Sequence, residues 1–593
     1  MATFVHHLKT LRLSFSPRSR SVVNIYPYGD KPAFSSKTTT RQHSSSTMSS
    51  HTRTYETALS HLAALQSNSL ITSLFTPTPI TTPTTTTSPQ NNNNKKNLND
   101  LAIPEMLAWL RRAGITQTDL AASKLRCIHV AGTKGKGSTC AYLTALLVHG
   151  TGKKAGKVGT YTSPHLLSVR ERIAIDGNPI SQDLFAGYFF ELWDAFTRAA
   201  RAELAAAQSQ SKAVGGEEMI SEEELQGPAT KPFYFRFLTI LALRIFLGEG
   251  VRSAIIECGI GGEYDSTNIL PAECVTASVI TQLGIDHVGM LGPTLPQIAW
   301  HKAGVCKEGR KCYTRRLNGE QVAEETMRVL RRRAAEKNAL LVEIADEDVE
   351  KASWHGGSGS MEGDFQKYNQ ALAIHAAREH LRVLGTETET EIEPDTEIDV
   401  SVSALQHARL RGRCETYEDK NITWLIDGAH TAESLTEVAR WFSGKLASSS
   451  SSSSSNRKLT PPKDKIILLF NQQDRDANRL VSRLLRDIRP PPQQQQQQQQ
   501  FFFTHAIFSR NDLSHEPEAG PNRDLSVQEA AARTLHSLSP DTKTMVVDNV
   551  AEAVGHVRNL AHESDNTTTT VLATGSLHLV GALLRTLEPD SAL

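Results

Sequence analysis

Between Ile128 and Thr139 an apolar run breaks into Gly132-Thr-Lys-Gly-Lys-Gly-Ser138 and then resumes. Gly132, Gly135 and Gly137 let a backbone come close to a ligand and take positive φ. The N–H groups of such a turn, with Thr133 and Lys134 inside it, converge on phosphate oxygens, and a following helix adds positive partial charge. Lys136 can reach the outer phosphates, and a hydroxyl beside it, Ser138 or Thr139, can hold Mg²⁺. The fit to G-x-x-x-x-G-K-[ST] is imperfect: Val130 stands in place of the first Gly, and Gly137 follows the lysine. An ordinary glycine-rich strand–helix junction is the alternative. A second group, Ile255-Ile-Glu257-Cys-Gly-Ile-Gly-Gly-Glu-Tyr-Asp265-Ser-Thr-Asn268, ends a buried strand on a carboxylate. In an open α/β sheet a carboxylate there faces the active crevice and can hold Mg²⁺. A solvated acid in a turn is the alternative.

The loop resembles the phosphate loop of the Mur ligase superfamily, in its folylpolyglutamate synthase branch, where the hydroxyl stands two residues past the lysine. The resemblance implies that Gly132 to Thr139 bind ATP and that Ser138 is a metal ligand. The Glu257 segment is similar to the family's E-x-G-x-G-G-x-x-D-x-T-N, which makes Glu257 a magnesium ligand. Thr281-Gln-Leu-Gly-Ile-Asp286-His287 resembles a D-H pair whose histidine binds a second magnesium, so His287 is implied. Trp300-His-Lys302-Ala-Gly304 resembles the segment whose lysine is carbamylated in members of the superfamily, so Lys302 is an implied catalytic and metal-binding residue beside Lys136 and His287. Tyr161-Thr-Ser163-Pro-His165 with Arg170-Glu-Arg172 resembles the S-P-H-L…R-E-R-I segment near the substrate, which points to Ser163, His165 and Arg170. Gln366 and Asn369 resemble an H-Q-x-x-N-A element, with Phe365 and Gln370 departing from it and the adenine-contacting Asn369 kept. Arg411-Gly-Arg413 and Asp427-Gly-Ala-His430 match the segments that place Arg413, Asp427 and His430 near the nucleotide. The aromatic run Phe233 to Phe237, and the segments at Asn471 and Ser576, are read as architectural.

What the family resemblance implies is an ATP-dependent ligase that joins L-glutamate to the γ-carboxylate of a folate through an acyl phosphate, using ATP, two Mg²⁺ ions and room for a monovalent cation. The partners are then small molecules, folate polyglutamates and L-glutamate, bound by a monomer. Two alternatives stay open: a dihydrofolate synthase, or bifunctional enzyme, that adds the first glutamate to dihydropteroate, and a nucleotide-binding regulatory protein that makes no bond.

Positioning these groups needs buried strands alternating with helices. Arg126–Ala131, Ser253–Cys258 and Val275–Thr281 read as strands, with a helix from Thr139 to about His149. Ile422–Ile426, Lys465–Asn471, His505–Ser509 and Thr569–Ala573 repeat the pattern, with helices at 432–442 and 475–487 and one ending near Leu587. The class is α/β: an N-terminal P-loop ATPase-like, Mur-ligase-like domain with a parallel sheet (55–408) and a C-terminal Rossmann-like domain (409–593). Low-complexity stretches at 76–96, 201–228, 385–400, 448–463 and 490–500 are read as unstructured insertions.

The whole chain has 593 residues, 64 basic and 64 acidic, so it is not built mainly to coat nucleic acid. Its length alone would allow about three to five domains. The longest apolar candidate, Phe237 to Leu247, is interrupted by Arg244 and too short to span a bilayer. Seven cysteines without C-x-x-C suggest neither a disulfide framework nor a zinc knuckle. Residues 1–54 carry eight Lys or Arg and one acid, with many Ser and Thr, the composition of a mitochondrial transit peptide. A disordered basic tail is the alternative. Initiation at Met48 would leave a cytosolic form, so mitochondrion and cytoplasm are both expected.

Overall fold

The computed structural model describes residues 53–65, 98–211, 221–319, 321–351, 361–386, 400–451, 465–473, 476–488, 503–513, 524–562 and 568–589. The expected transit peptide (apart from Arg53 and Thr54) and the insertions at 76–96 and 490–500 lie outside them.

Two sheets form the frame. The first has strands β1 (Arg126–Ala131), β2 (Val158–Tyr161), β3 (Ile173–Ile175), β4 (Asn178–Pro179), β5 (Ser253–Glu257), β6 (Val275–Ile280), β7 (Lys311–Arg315) and β8 (Leu340–Ile344). Their order is β4-β3-β2-β5-β1-β6-β7-β8. The run from β2 to β8 is parallel, while β3 and β4 fold back antiparallel at one edge. The second has β9 (Glu415–Asp419), β10 (Ile422–Ile426), β11 (Lys465–Phe470), β12 (His505–Ser509), β13 (Lys543–Val547) and β14 (Thr569–Thr574), ordered β13-β12-β11-β14-β10-β9. Only β9 is antiparallel there.

Strands β1, β5 and β6 are almost wholly buried because both faces of the sheet are covered. Successive residues serve opposite faces. Ala254 and Ile256 join the core under helices Gln182–Ser211 and Tyr234–Gly248. Ile255 joins the core under Lys136–His149 and Gln366–Thr386. In the second sheet Leu468 and Phe470 face one side, and Ile467 and Leu469 the other. Each such buried side chain contributes about 1.5–3 kcal/mol relative to exposure. Phe237 sits at the centre of an aromatic group with Phe189, Trp193 and Phe196, at centroid distances of 4.9, 6.0 and 5.9 Å.

Three of the expected insertions are partly ordered. Helix Gln182–Ser211 runs through 201–211, where alanine, glutamine and glutamate are strong helix formers. Arg112 grips Glu203 with two 2.7 Å hydrogen bonds. A short helix, Glu222–Gln226, is held by its Ser221 capping box and by Trp193 Nε1 donating to Gln226 O at 2.9 Å. Helices Gln366–Thr386 and Ala432–Ser451 likewise run into the low-complexity stretches that follow them. The unstructured reading underestimated how far a packed helix propagates once nucleated.

Lys231 closes this corner. Its ammonium donates to Leu225 O and Gly227 O, both at 3.2 Å, and to Thr230 Oγ1 at 2.7 Å, 4.8 Å from the Trp193 ring centroid. Burial pulls its pKa down to about 8, with Asp194 opposing. Between that value and the ordinary lysine value the unfolded chain keeps a proton that the native chain releases. Lys231 therefore makes stability rise with pH across that window, by at most about 1.4 kcal/mol per pH unit. Urea titrations from pH 8 to 10 should show this rise in the wild type and lose it in Lys231→Met; parallel pH profiles would contradict the assignment.

Candidate active site

The loops that leave β1, β5 and β6 meet at the carboxyl ends of the strands, on one cavity of about 980 Å³. Gly132 leaves β1 with φ +148°, and a Cβ there would lie 1.8 Å from Thr281 Oγ1. Thr281 Oγ1 itself donates to Lys134 O at 2.7 Å. Thr133 and Lys134 N–H donate to Gln282 O at 3.0 and 3.1 Å. The loop after β6 thus braces the loop after β1. Helix Lys136–His149 then starts behind Gly135, which sits at φ +83° and offers no capping side chain. Its first-turn N–H groups stay open toward the cavity, with Lys136 and Ser138 in the wall. Thr139 is buried behind them and does not line the cavity.

Glu257 ends β5, 3% exposed. The described residues give it one hydrogen bond, from Ser163 N–H at 3.0 Å, and no ion pair. Burial pushes its carboxyl up, while Lys136, the Ser163 N–H and Arg413 hold it down. Asp265 fixes the loop beyond it, accepting from Ile260 N–H and Thr267 N–H, both at 2.9 Å. Lys302, 3% exposed, donates to Gly132 O at 2.8 Å and so ties helix Leu295–Lys302 to the phosphate loop. Burial, then repulsion from Lys136, lowers its amine to about 7. His287 takes a left-handed conformation at φ 49°, with its Nε2 3.8 Å from Asp286 Oδ2.

The second sheet supplies the facing wall. Asp427, at the end of β10, accepts from Cys414 N–H and Ala429 N–H, both at 2.8 Å; burial raises its pKa and Arg413 opposes. Arg413 packs against Gly428, and His430 Nδ1 lies 3.1 Å from Gly428 O. Asn369, on helix Gln366–Thr386, donates to Gln366 Oε1 at 2.8 Å and packs on Gly135. Lys134 reaches Glu433, on helix Ala432–Ser451 that follows β10, at 3.4 Å.

Ser138, Glu257, His287, Lys302, Asn369, Arg413, Asp427 and His430 therefore share one cavity. Of the three residues expected near substrate, only Ser163 lines it. Arg170 is buried outside the lining, donating to Ile180 O at 2.8 Å over the Tyr55 ring. His165 accepts from Arg172 Nε at 2.8 Å, and burial, then Arg172, lowers it to about 4. Arg172 is the arginine in the wall. Both arginines stand in a 3₁₀ turn, Val169–Arg172, where two residues rotate the side chain by about 240°; the pairing R-E-R alone could not say which one faces in. Phe235 lines the cavity, whereas Phe237 is core.

Magnesium fits this set in one respect. Glu257 is a buried carboxylate with no direct ion pair among the described residues, on the same cavity as the Ser138 hydroxyl and an open helix N-terminus. Among the described residues no group of three or more His, Cys, Asp or Glu could cage a metal. An ion here would take one carboxylate, a hydroxyl, water and substrate phosphates, the ordinary magnesium pattern.

The cavity continues as a groove along helix Lys136–His149, past Ala141, Thr144, Ala145 and Val148, to a mouth where the His149 and His407 rings lie 4.5 Å apart beside Arg409.

No family model matches the chain. It is 35% identical over 558 residues to a protein of Schizosaccharomyces pombe described as a probable folylpolyglutamate synthase, covering 91% of this chain and 95% of the relative. It is 35% identical over 510 residues to a folylpolyglutamate synthase of Neurospora crassa, covering 83% and 86%. In fold it is similar to a Mycobacterium tuberculosis folylpolyglutamate synthase complexed with ADP and AMPPCP, with TM-score 0.54, 22% identity, and 83% and 99% of the two chains covered. The apo form of the L. casei enzyme gives TM-score 0.56, 21% identity, and 90% and 99% coverage.

A Cβ on Gly135 would meet Asn369 Oδ1 at 2.3 Å, at a positive φ that side chains avoid. Strain of about 1–3 kcal/mol should make Gly135→Ala weaken ATP binding about tenfold or more by calorimetry. Unchanged affinity would show that the nucleotide binds elsewhere.

Proposed function

The chain belongs to the folylpolyglutamate synthases, and on that premise we propose that it is a ligase that uses ATP to add L-glutamate to the γ-carboxylate of folyl glutamates, releasing ADP and phosphate. The observation that carries this reading is the meeting of the phosphate loop with Arg413, Asp427 and His430 of the second sheet on one cavity.

A carboxylate is a poor acylating agent at neutral pH. Phosphorylation gives an acyl phosphate with a good leaving group, and the amine of glutamate then attacks the acyl carbon. In this reading Lys136 and the first-turn N–H groups hold the transferring phosphoryl charge. Arg413 binds phosphate from the opposite side, where a guanidinium can make two parallel hydrogen bonds. Asn369 and His430 orient the nucleoside, and Asp427 fixes the turn that carries His430. Ser163 and Arg172 stand where the folate carboxylate would enter. Magnesium would be held by Ser138 and Glu257, with a second ion at His287, and would neutralise phosphate charge. Lys302, its pKa lowered to about 7 by burial, has a neutral fraction near neutral pH that can react with carbon dioxide; as a carbamate it would add an oxygen ligand. Walls from two sheets exclude water that would hydrolyse the acyl phosphate.

We further place the protein in the mitochondrion, on the basic, acid-poor composition of residues 1–54, with a cytosolic form started at Met48. It is read as a monomer. Residues 1–54 fused to a fluorescent protein should direct it to mitochondria; a diffuse signal would contradict that placement.

The purified protein should release ADP only with folyl glutamate and L-glutamate both present, giving a product one glutamyl residue heavier. Efficient use of dihydropteroate in place of the folate would reassign it as a dihydrofolate synthase, and nucleotide turnover without a new amide would favour the regulatory reading. Lys136→Ala should lose at least about 10²-fold in kcat; full activity would sink the mechanism.

A further inference from the structure

We infer that the groove along helix Lys136–His149 is the track for the polyanionic γ-glutamyl tail of long acceptors, and that His149, His407 and Arg409 read a carboxylate at its far end. This rests on the proposed ligase activity. The groove starts at Ser138, beside Glu257 and Lys136, and follows one face of the helix to His149. At 1.5 Å per residue its length is about 16 Å. Its floor is small or apolar: Ala141, Ala145 and Val148. With Thr144 the one hydroxyl between them, this face of the helix offers no charged side chain from Lys136 until His149 is reached.

There the segment 400–410, which joins the two sheets, runs back along the helix. Ser401 N–H donates to Gly150 O at 3.0 Å, and Leu410 packs on Gly137. This path sets His407 on His149, with ring centroids 4.5 Å apart, and leaves His149, His407 and Arg409 exposed. Arg409 Nη1 donates to Gln406 O at 2.7 Å and Ala408 O at 3.0 Å, and no carboxylate pairs with the guanidinium among the described residues. Asp176, on the β3–β4 turn opposite, is the acid on that wall, and its Oδ1 accepts from Val158 N–H at 2.8 Å.

A γ-linked glutamyl unit spans about 6 Å, two C–C bonds more than an ordinary residue. Each unit exposes an α-carboxylate. With the reacting γ-carboxylate at the phosphate loop, a carboxylate about three units back falls at the mouth. A monoglutamate acceptor has none there. The cluster therefore discriminates by tail length and leaves the chemistry alone.

The test compares folyl monoglutamate with folyl tetraglutamate as acceptors for the full-length wild type and His149→Ala/His407→Ala/Arg409→Ala. Exposed pairs are individually weak, so the three together should lower the tetraglutamate-to-monoglutamate ratio of kcat/KM about five- to tenfold, through KM. Added salt should shrink the wild type's preference in the same direction. Equal effects on both acceptors would overturn the tail track while leaving the ligase reading intact. A wild type that adds glutamate to neither acceptor would overturn both.

Discussion

The first turn of one helix, with N–H groups that find no partner in the described chain, is the constraint around which the cavity is built. Such a terminus is stable only if an anion or water meets it, and it can be brought to an anion only if the preceding loop is held open. Gly132 and Gly135 provide the backbone shape. Thr281, Gln282 and the Lys302 ammonium supply the bracing, each through a carbonyl of the loop or a carbonyl that the loop's own N–H groups reach. Two adjacent strand ends and one helix terminus thus fix the loop from three sides, at the crevice where a parallel sheet exposes its strand ends.

Charge balance explains why two sheets are needed. The first sheet buries Glu257 with a single hydrogen bond and crowds Lys136 against Lys302. The second buries Asp427 beside Arg413. Lys136, Lys302 and Arg413 bring cationic side chains to the same cavity as the buried carboxylates Glu257 and Asp427, and phosphates with a divalent cation are the groups that an ATP-dependent ligase brings to such a set. Lys134–Glu433 at 3.4 Å and Lys445–Glu362 at 2.6 Å link the halves ionically, both partly exposed and of modest weight.

Much of this was legible in the sequence because the relevant signals are local. Strands β1, β10 and β12 were readable to the residue as short, mostly apolar runs, and the glycine-rich turns marked strand ends in the first sheet. Other strands were not: β3 and β4 are too short to show a period, and β8, at half-exposed positions, lacks one. Side-chain direction was the other failure. Arg170 and Arg172 are chemically identical and two apart, and only the 3₁₀ turn decides that Arg172 faces the cavity. Lys302 could be located by motif, but its bond to the Gly132 carbonyl joins residues 170 positions apart. The Ala-, Gln- and Ser-rich stretches looked unable to fold because they bury little; where one follows a packed helix, propensity together with a contact such as Arg112–Glu203 extends it by up to three turns.

The central claim is that this cavity activates a carboxylate by phosphorylating it. It is tested most directly by following the oxygen. With a folyl glutamate whose γ-carboxylate carries heavy oxygen, the account predicts one labelled oxygen in the inorganic phosphate for each amide formed, because the acyl–oxygen bond breaks after phosphorylation. Amide formation with unlabelled phosphate would contradict it.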